Sequence, residues 1–157
     1  MPINNTVTGD LIDLAKQGLF KAIVHGCNCQ NRMGAGIAPL INNAFEGVLQ
    51  ADREFEIPVG SEDRLGYLSF ALQRDGLIVI NAYTQFTYTG RNSGKIDVSY
   101  DAIRQVFKRI NHDAPEGTKI GIPLIGAGLA GGDWETIAGI INKVTPRLDI
   151  TLVVLPR

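Results

Sequence analysis

Cysteine and histidine are scarce. The 157-residue chain has two of each: Cys27 and Cys29, His25 and His112. Cysteines one residue apart make a poor disulfide framework, so a reducing, cytoplasmic setting is expected. A closed zinc site needs a second ligand pair, and His112 falls on a polar helix end, so no metal is expected. Charge of one sign is also missing. The 15 Lys and Arg nearly balance the 16 Asp and Glu, which leaves no basic footprint for nucleic acid. No apolar run approaches the roughly 20 residues of a membrane span, so no membrane partner is expected. Met1-Pro2-Ile3-Asn4-Asn5 has no charged-then-apolar leader pattern. Without repeats or a boundary, residues 1–157 read as one domain, long enough to bury a core and expected to be a monomer.

What is present alternates. Residues 3–7 form a candidate opening strand, and Asp10 stands near the N-cap of a short helix over 11–16. The apolar run at 22–25 reads as a buried strand. Helical segments follow over 37–45 and 48–53. Asp75-Gly76 marks a hairpin between 65–72 and 77–83. Residues 85–95 are rich in Thr, Gly, Asn and Ser and read as a surface loop. Ala102, Ile103, Val106, Phe107 and Ile110 keep helical spacing, and a strand (119–124), a helix (134–144) and a closing strand (150–155) complete the chain. Alternation with one hairpin argues a three-layer α/β fold on a mixed sheet.

The 18 glycines are partly clustered, at 26–36 and 126–132. In the first cluster a strand runs into His25-Gly26-Cys27-Asn28-Cys29-Gln30-Asn31-Arg32-Met33-Gly34-Ala35-Gly36 and then a helix. Gly34 and Gly36 let main-chain amides approach a ligand, and an adjoining helix start favours an anion, most often phosphate. His25, Asn28, Gln30 and Asn31 add hydrogen-bonding groups for a sugar or for chemistry. The second cluster, Gly126-Ala127-Gly128-Leu129-Ala130-Gly131, matches the dinucleotide fingerprint G-x-G-x-x-G. That fingerprint belongs to the first βα turn of a longer domain, with an acid about 20 residues on at the end of the next strand. Here 26 residues follow Gly131, and Asp149 precedes the strand. The Rossmann reading fails, and a second phosphate-holding turn survives. Two such turns at neighbouring strand ends describe a site for a nucleoside diphosphate carrying a sugar.

Gly9-Asp10-Leu11, Val24-His25-Gly26-Cys27-Asn28-Cys29, Arg32-Met33-Gly34-Ala35-Gly36-Ile37-Ala38, Ile122-Pro123-Leu124-Ile125-Gly126-Ala127-Gly128-Leu129 and Asp133-Trp134-Glu135 together resemble the macrodomain family. Within it, they resemble the branch of the ADP-ribose-1″-phosphate phosphatases and the terminal ADP-ribose protein glycohydrolase. The resemblance implies a three-layer α/β/α fold, with a mixed, largely parallel six-stranded sheet between helices and ADP-ribose in a surface cleft. It implies that Asp10 takes the adenine amino group while Leu11 lines its pocket. Gly34, Ala35, Gly36 and Ile37 would wrap the distal ribose and diphosphate; Gly126, Ala127, Gly128, Leu129 and Ala130 would cradle the diphosphate. Gln30, Met33, Thr84, Gln85 and Ile125 complete the expected ligand-binding set. His25 and Asn28 would sit by the distal ribose. No cofactor is implied. The glycohydrolase relatives use a lysine after the hairpin and an acid after Gly-Leu, where this chain has Gln85 and Ala130. The closing strand offers Val153 or Val154 where an aromatic often stacks on adenine.

These departures favour an ADP-ribose-1″-phosphate phosphatase, with an acyl-ester ADP-ribosyl hydrolase or a non-catalytic ADP-ribose reader as alternatives. His25, the one group in the first loop that titrates near neutral pH, is expected to be general acid or base, or the nucleophile, with Asn28 beside it. Asp133 is open to two roles, a substitute acid or the N-cap of the next helix. Cys27 and Cys29 are expected to be buried and apolar rather than nucleophilic. Trp134, Phe107 and Phe45 are expected in packing, and Tyr83, Thr84, Tyr88 and Arg91 near the cleft.

Overall fold

The computed structural model describes residues 3–90 and 93–156; Arg91, expected near the cleft, lies outside them. The order is β1 (Asn5–Thr8), α1 (Leu11–Lys16), β2 (Ala22–Asn28), α2 (Ala38–Ala44), α3 (Val48–Glu54), β3 (Leu68–Leu72), β4 (Ile78–Gln85), α4 (Tyr100–Asp113), β5 (Lys119–Ile122), α5 (Trp134–Val144) and β6 (Asp149–Val154). The sheet runs β1-β6-β5-β2-β4-β3. Every pairing between these strands is parallel except the β3–β4 hairpin, so the mixed, mostly parallel six-stranded sheet implied by the resemblance is observed.

Side chains alternate across the sheet, and each face has its own core. Val24, Ile80, Ile120, Ile122 and Ile150 pack with Ile103, Val106 and Phe107 of α4 and Ile137 and Ile141 of α5. On the other face, Ile23, Val79 and Val153 pack with Leu11 and Ala15 of α1, Ile41 of α2 and Val48 of α3. Trp134 lies against the first core and Phe45 within the second. Among the described residues no helix is long and apolar enough to cross a membrane.

The central strands differ from expectation in one consequential way. β2 does not stop at His25; it stays paired with β4 through Gly26↔Ala82 and Cys27↔Tyr83 before a bulge at Asn28. A parallel strand between two neighbours is covered on both faces, and the polar residues at its end share that enclosure.

Candidate functional site

Because β1, β6, β5, β2 and β4 point the same way, their carboxyl-terminal loops gather along one sheet edge, where α/β ligands collect. Hydrogen bonds sew these loops together. Cys29 N and Gln30 Nε2 both donate to Phe86 O (3.1 and 2.9 Å). Gly9 N donates to Val154 O (2.8 Å), and Asp97 N and Val98 N donate to Ala130 O (2.9 and 3.3 Å). The two glycine loops are neighbours: a Cβ on Gly36 would stand 3.7 Å from Leu129 Cδ1.

The amide accounting shows what the loops offer. In the first, Asn28 Oδ1 accepts from Gln30 N and Arg32 N (2.9 and 3.4 Å), while Nδ2 donates to Arg32 O (2.8 Å). In the second, Ala127 N, Gly131 N and Gly132 N donate to Leu124 O, Gly128 O and Gly126 O (3.2, 3.1 and 2.7 Å). Among the described residues, the amides of Met33, Gly34, Ala35, Gly36, Gly126, Gly128 and Leu129 have no partner in the chain. α2 begins directly after with no side-chain cap; Pro39 has no N–H, so of its first turn Ala38 and Leu40 add to the row. These donors face water or a ligand.

A cleft of about 790 Å³ opens beside the first loop, lined by Asn31, Met33, Gly34, Asn42, Leu49 and Tyr88 among others. It reaches neither Asp10 nor the second loop, so the adenine and diphosphate positions implied by the resemblance lie outside the enclosed space, along the open sheet edge. Asn31, one of the hydrogen-bonding groups noted in the first loop, holds the left-handed conformation (φ 56°) and lines this cleft, whereas Asn42 and Leu49 drew no notice in the sequence because a lone Asn or Leu has no motif.

Several expected site residues are placed elsewhere. His25 is corrected: the imidazole is fully buried, and its Nε2–H donates to Asn81 Oδ1 (2.7 Å). The Asn81 orientation follows from its Nδ2, which donates to Val48 O and Ser69 Oγ (both 3.1 Å). Enclosed by β2–β4 pairing, His25 touches no cleft and cannot be the proton-transfer group. Asn28 is corrected from the chemistry to the scaffold, since its Oδ1 and Nδ2 fix the loop. Of the two roles left open for Asp133, the structure shows the cap. Its Oδ2 accepts from Thr136 N and Oγ1 (3.0 and 2.7 Å) as the α5 N-cap, and those bonds hold its carboxyl below the usual range. Leu11, Ile125, Thr84 and Ala130 are buried, Leu11 and Ile125 within the two cores. The Thr84 hydroxyl is enclosed without a hydrogen-bond partner beside Gly26, where a Cβ would stand 2.8 Å from it. None of the four can line the surface with its side chain. Asp10 caps α1 through Oδ1 (2.8 Å to Ile12 N) and stays exposed. Gln30 Nε2 donates to Phe86 O (2.9 Å), and Gln85 Nε2 donates to Thr87 O (2.8 Å). Burial pushes the Cys27 thiol up, and the Cys29 thiol to about 11, so neither supplies a thiolate at neutral pH.

Desolvation lowers the His25 pKa, against the opposing Asn81 hydrogen bond and Asp52 charge. The unfolded chain therefore takes up this proton first, near the ordinary value of about 6.5. The contribution is complete above that value and declines below it until the native pKa is reached. Unfolding free energy is expected to fall more steeply for wild type than for His25→Asn as pH drops through about 6.5; parallel curves would contradict the enclosure.

Behind the first loop lies a buried network that sequence reasoning missed. Asp52 and Arg64, 1% and 0% exposed at the side chain, pair at 2.7 Å. Arg64 also donates to Asp52 O and Ile57 O (2.9 and 2.7 Å) and lies over the Tyr83 ring at 4.9 Å. Asp52 Oδ1 accepts from Tyr83 Oη, and Oδ2 from Asn31 Nδ2 (both 2.8 Å). Tyr83, expected near the cleft, is thus fully buried, and Asp52 anchors the cleft residue Asn31 from within. A charged residue in a short helical segment reads as surface, and no local signal reports the arginine 12 positions on.

No family model matches the chain. It is 31% identical over 150 residues to an uncharacterized 17.5 kDa protein in the tk-vs intergenic region of Enterobacteria phage T4, covering 94% of this chain and 93% of that one. It is 29% identical over 158 residues to the ADP-ribose glycohydrolase OARD1 of Bos taurus, covering 96% and 95%. Among solved structures, a macrodomain protein from Streptomyces coelicolor superposes with a TM-score of 0.70 at 22% identity, covering 98% of both chains.

Proposed function

This chain belongs to the macrodomain family, and from that premise we propose that it is a hydrolase that releases ADP-ribose from an ester-linked carboxylate acceptor. The observation that carries the reading is that the two glycine loops are neighbours, close enough that a Cβ on Gly36 would stand 3.7 Å from the Leu129 side chain, so that each loop offers unpartnered amides to the same stretch of surface, fit for a diphosphate. A relative named for ADP-ribose glycohydrolase activity matches over almost the full length of both chains.

The ester acceptor is favoured by what the cleft lacks. Among its described lining residues there is no His, Cys, Asp, Glu or Lys. Gln85 and Ala130 stand where the resembling glycohydrolases use a lysine and an acid, so no amine adduct forms at this strand end. Cleaving the anomeric C1″–O bond of an acyl ester expels a carboxylate, whose pKa of about 4 means it leaves without a proton. Water supplies the new C1″ hydroxyl and loses its proton to solvent or to a substrate phosphate oxygen. The loops contribute by fixing the diphosphate and the adjoining sugar against that water.

A second reading, removal of the 1″-phosphate, is favoured by Gln85 standing where the resembling glycohydrolases use their lysine. Expelling a sugar oxygen from phosphorus calls for proton donation, which makes it the slower reaction here. The test is incubation with an ester-linked ADP-ribosylated acidic peptide and, separately, ADP-ribose-1″-phosphate, beside a calorimetric titration with ADP-ribose. Faster release from the peptide is the expected outcome. Phosphate release alone would select the second reading, and binding without turnover would leave a reader.

A further inference from the structure

β3 closes one end of the sheet, and among the described residues its outer side is unpaired. Tyr83 N donates to Tyr67 O and Gln73 N to Leu77 O, so in this antiparallel ladder the odd-numbered residues turn their peptide groups toward β4. The N–H and C=O groups of Leu68, Phe70 and Leu72 therefore point outward. The same three side chains share one face, opposite Ala82, Ile80 and Ile78. Phe70 is 57% exposed and Leu72 66%, beyond the cover that α4 gives β4. Open edges are normally guarded by a charge, a proline or a bulge. Leu68-Ser69-Phe70-Ala71-Leu72 has no charge and no proline, and its register with β4 is unbroken. The opposite edge, β1, is Asn5-Thr6-Val7-Thr8, polar at three of four positions.

We propose that this edge pairs with the same edge of a second copy, as a two-fold antiparallel dimer centred on Phe70. The strand's own pattern selects a copy of itself. Reversed about Phe70, Leu68 meets Leu72, Phe70 meets Phe70 and Leu72 meets Leu68, so each apolar side chain faces an apolar one on the same face. All three outward peptide groups fall in hydrogen-bonded positions. The result is one continuous sheet across both molecules, an isologous contact that closes on itself. The glycine loops lie at the carboxyl ends of the parallel strands and take no part. This replaces the monomer expected from composition. A single strand pair lies at the small end of specific interfaces, about 1,000 Å², so the association is reversible on dilution.

The test is sedimentation velocity across a wide concentration series, with the full chain. Wild type is expected to move from monomer to twice that mass. Leu72→Lys and Phe70→Lys are expected to stay monomeric while keeping the wild-type melting temperature and ADP-ribose affinity. Phe70→Cys tests the register directly. Hydrogen-bonded antiparallel partners stand about 5.5 Å apart at Cα, within disulfide reach. With an added oxidant, Phe70→Cys is expected to cross-link to itself, whereas Leu72→Cys cross-links to Leu68→Cys and not to itself. Cys27 and Cys29 are buried and give wild type no cross-link. A wild-type protein that stays monomeric at its highest attainable concentration, or a dimer that survives both lysine variants, would overturn the proposal.

Discussion

Gly34→Glu and Gly128→Glu are each expected to weaken ADP-ribose binding by about a hundredfold or more while leaving the fold intact. Neither glycine has an atom within 4 Å of the position a Cβ would take, and neither has a positive φ. A side chain is therefore accommodated, and surface changes of this kind shift stability by about 0.5 kcal/mol or less. The new carboxylate stands over amides that have no partner in the chain, in the space where a diphosphate would lie. Like charges brought together at an interface cost several kcal/mol, and each 1.4 kcal/mol is about tenfold in affinity. Gly34→Ala and Gly128→Ala add bulk without charge and are expected to lose much less. Calorimetry with ADP-ribose, paired with thermal unfolding, measures both arms. A loss confined to one loop would mean that the ligand is held by that loop alone. Gly36→Glu is a poorer probe, because its φ of 67° strains any side chain.

Arg64→Met is expected to cost about 3–5 kcal/mol of unfolding free energy, because it leaves the Asp52 carboxylate buried without its counter-charge. Domains of this size are held by about 5–15 kcal/mol in total, so this variant sits near the edge of folding. Asp52→Leu alone strands the guanidinium in the same way. Arg64→Met with Asp52→Leu removes both charges and is expected to be less damaged than either single change, a strong coupling in a double-mutant cycle by urea unfolding. Additive losses would show that the two groups are stabilised separately. Loss of Asp52 also frees Asn31 Nδ2, so the first loop is expected to loosen with the core.

Much of this architecture was legible in the sequence, for identifiable reasons. Gly34, Gly36, Gly126 and Gly128 cluster at strand-to-helix turns, and Asp75-Gly76 marks the only hairpin among the described strands. With those turns in place the alternation of apolar runs leaves little freedom in the topology. The chemistry was less legible. His25 reads as a loop residue when β2 is taken to end with its apolar run. Its burial depends on pairing that continues to Tyr83 on β4, and no local pattern reports how far two strands stay in register. Asp133 and Asn28 illustrate a different difficulty. Both are residue types that serve equally as caps or as reagents, and only the Thr136 and Arg32 contacts decide. Asp52, Arg64 and Asn81 form a network across segments 12 to 56 residues apart, where each alone looks like an ordinary polar residue.

The central claim is that one ligand is gripped at once by both rows of unpartnered amides. The most direct measurement is a titration of nitrogen-15-labelled protein with ADP-ribose, followed at the backbone amides. The Gly34, Gly36, Gly126 and Gly128 signals are expected to shift together with a single dissociation constant, while the indicator His25 ring, enclosed by Asn81 and Cys27, keeps its tautomer. Shifts in one glycine loop with the other silent, or two loops titrating with different constants, would contradict it.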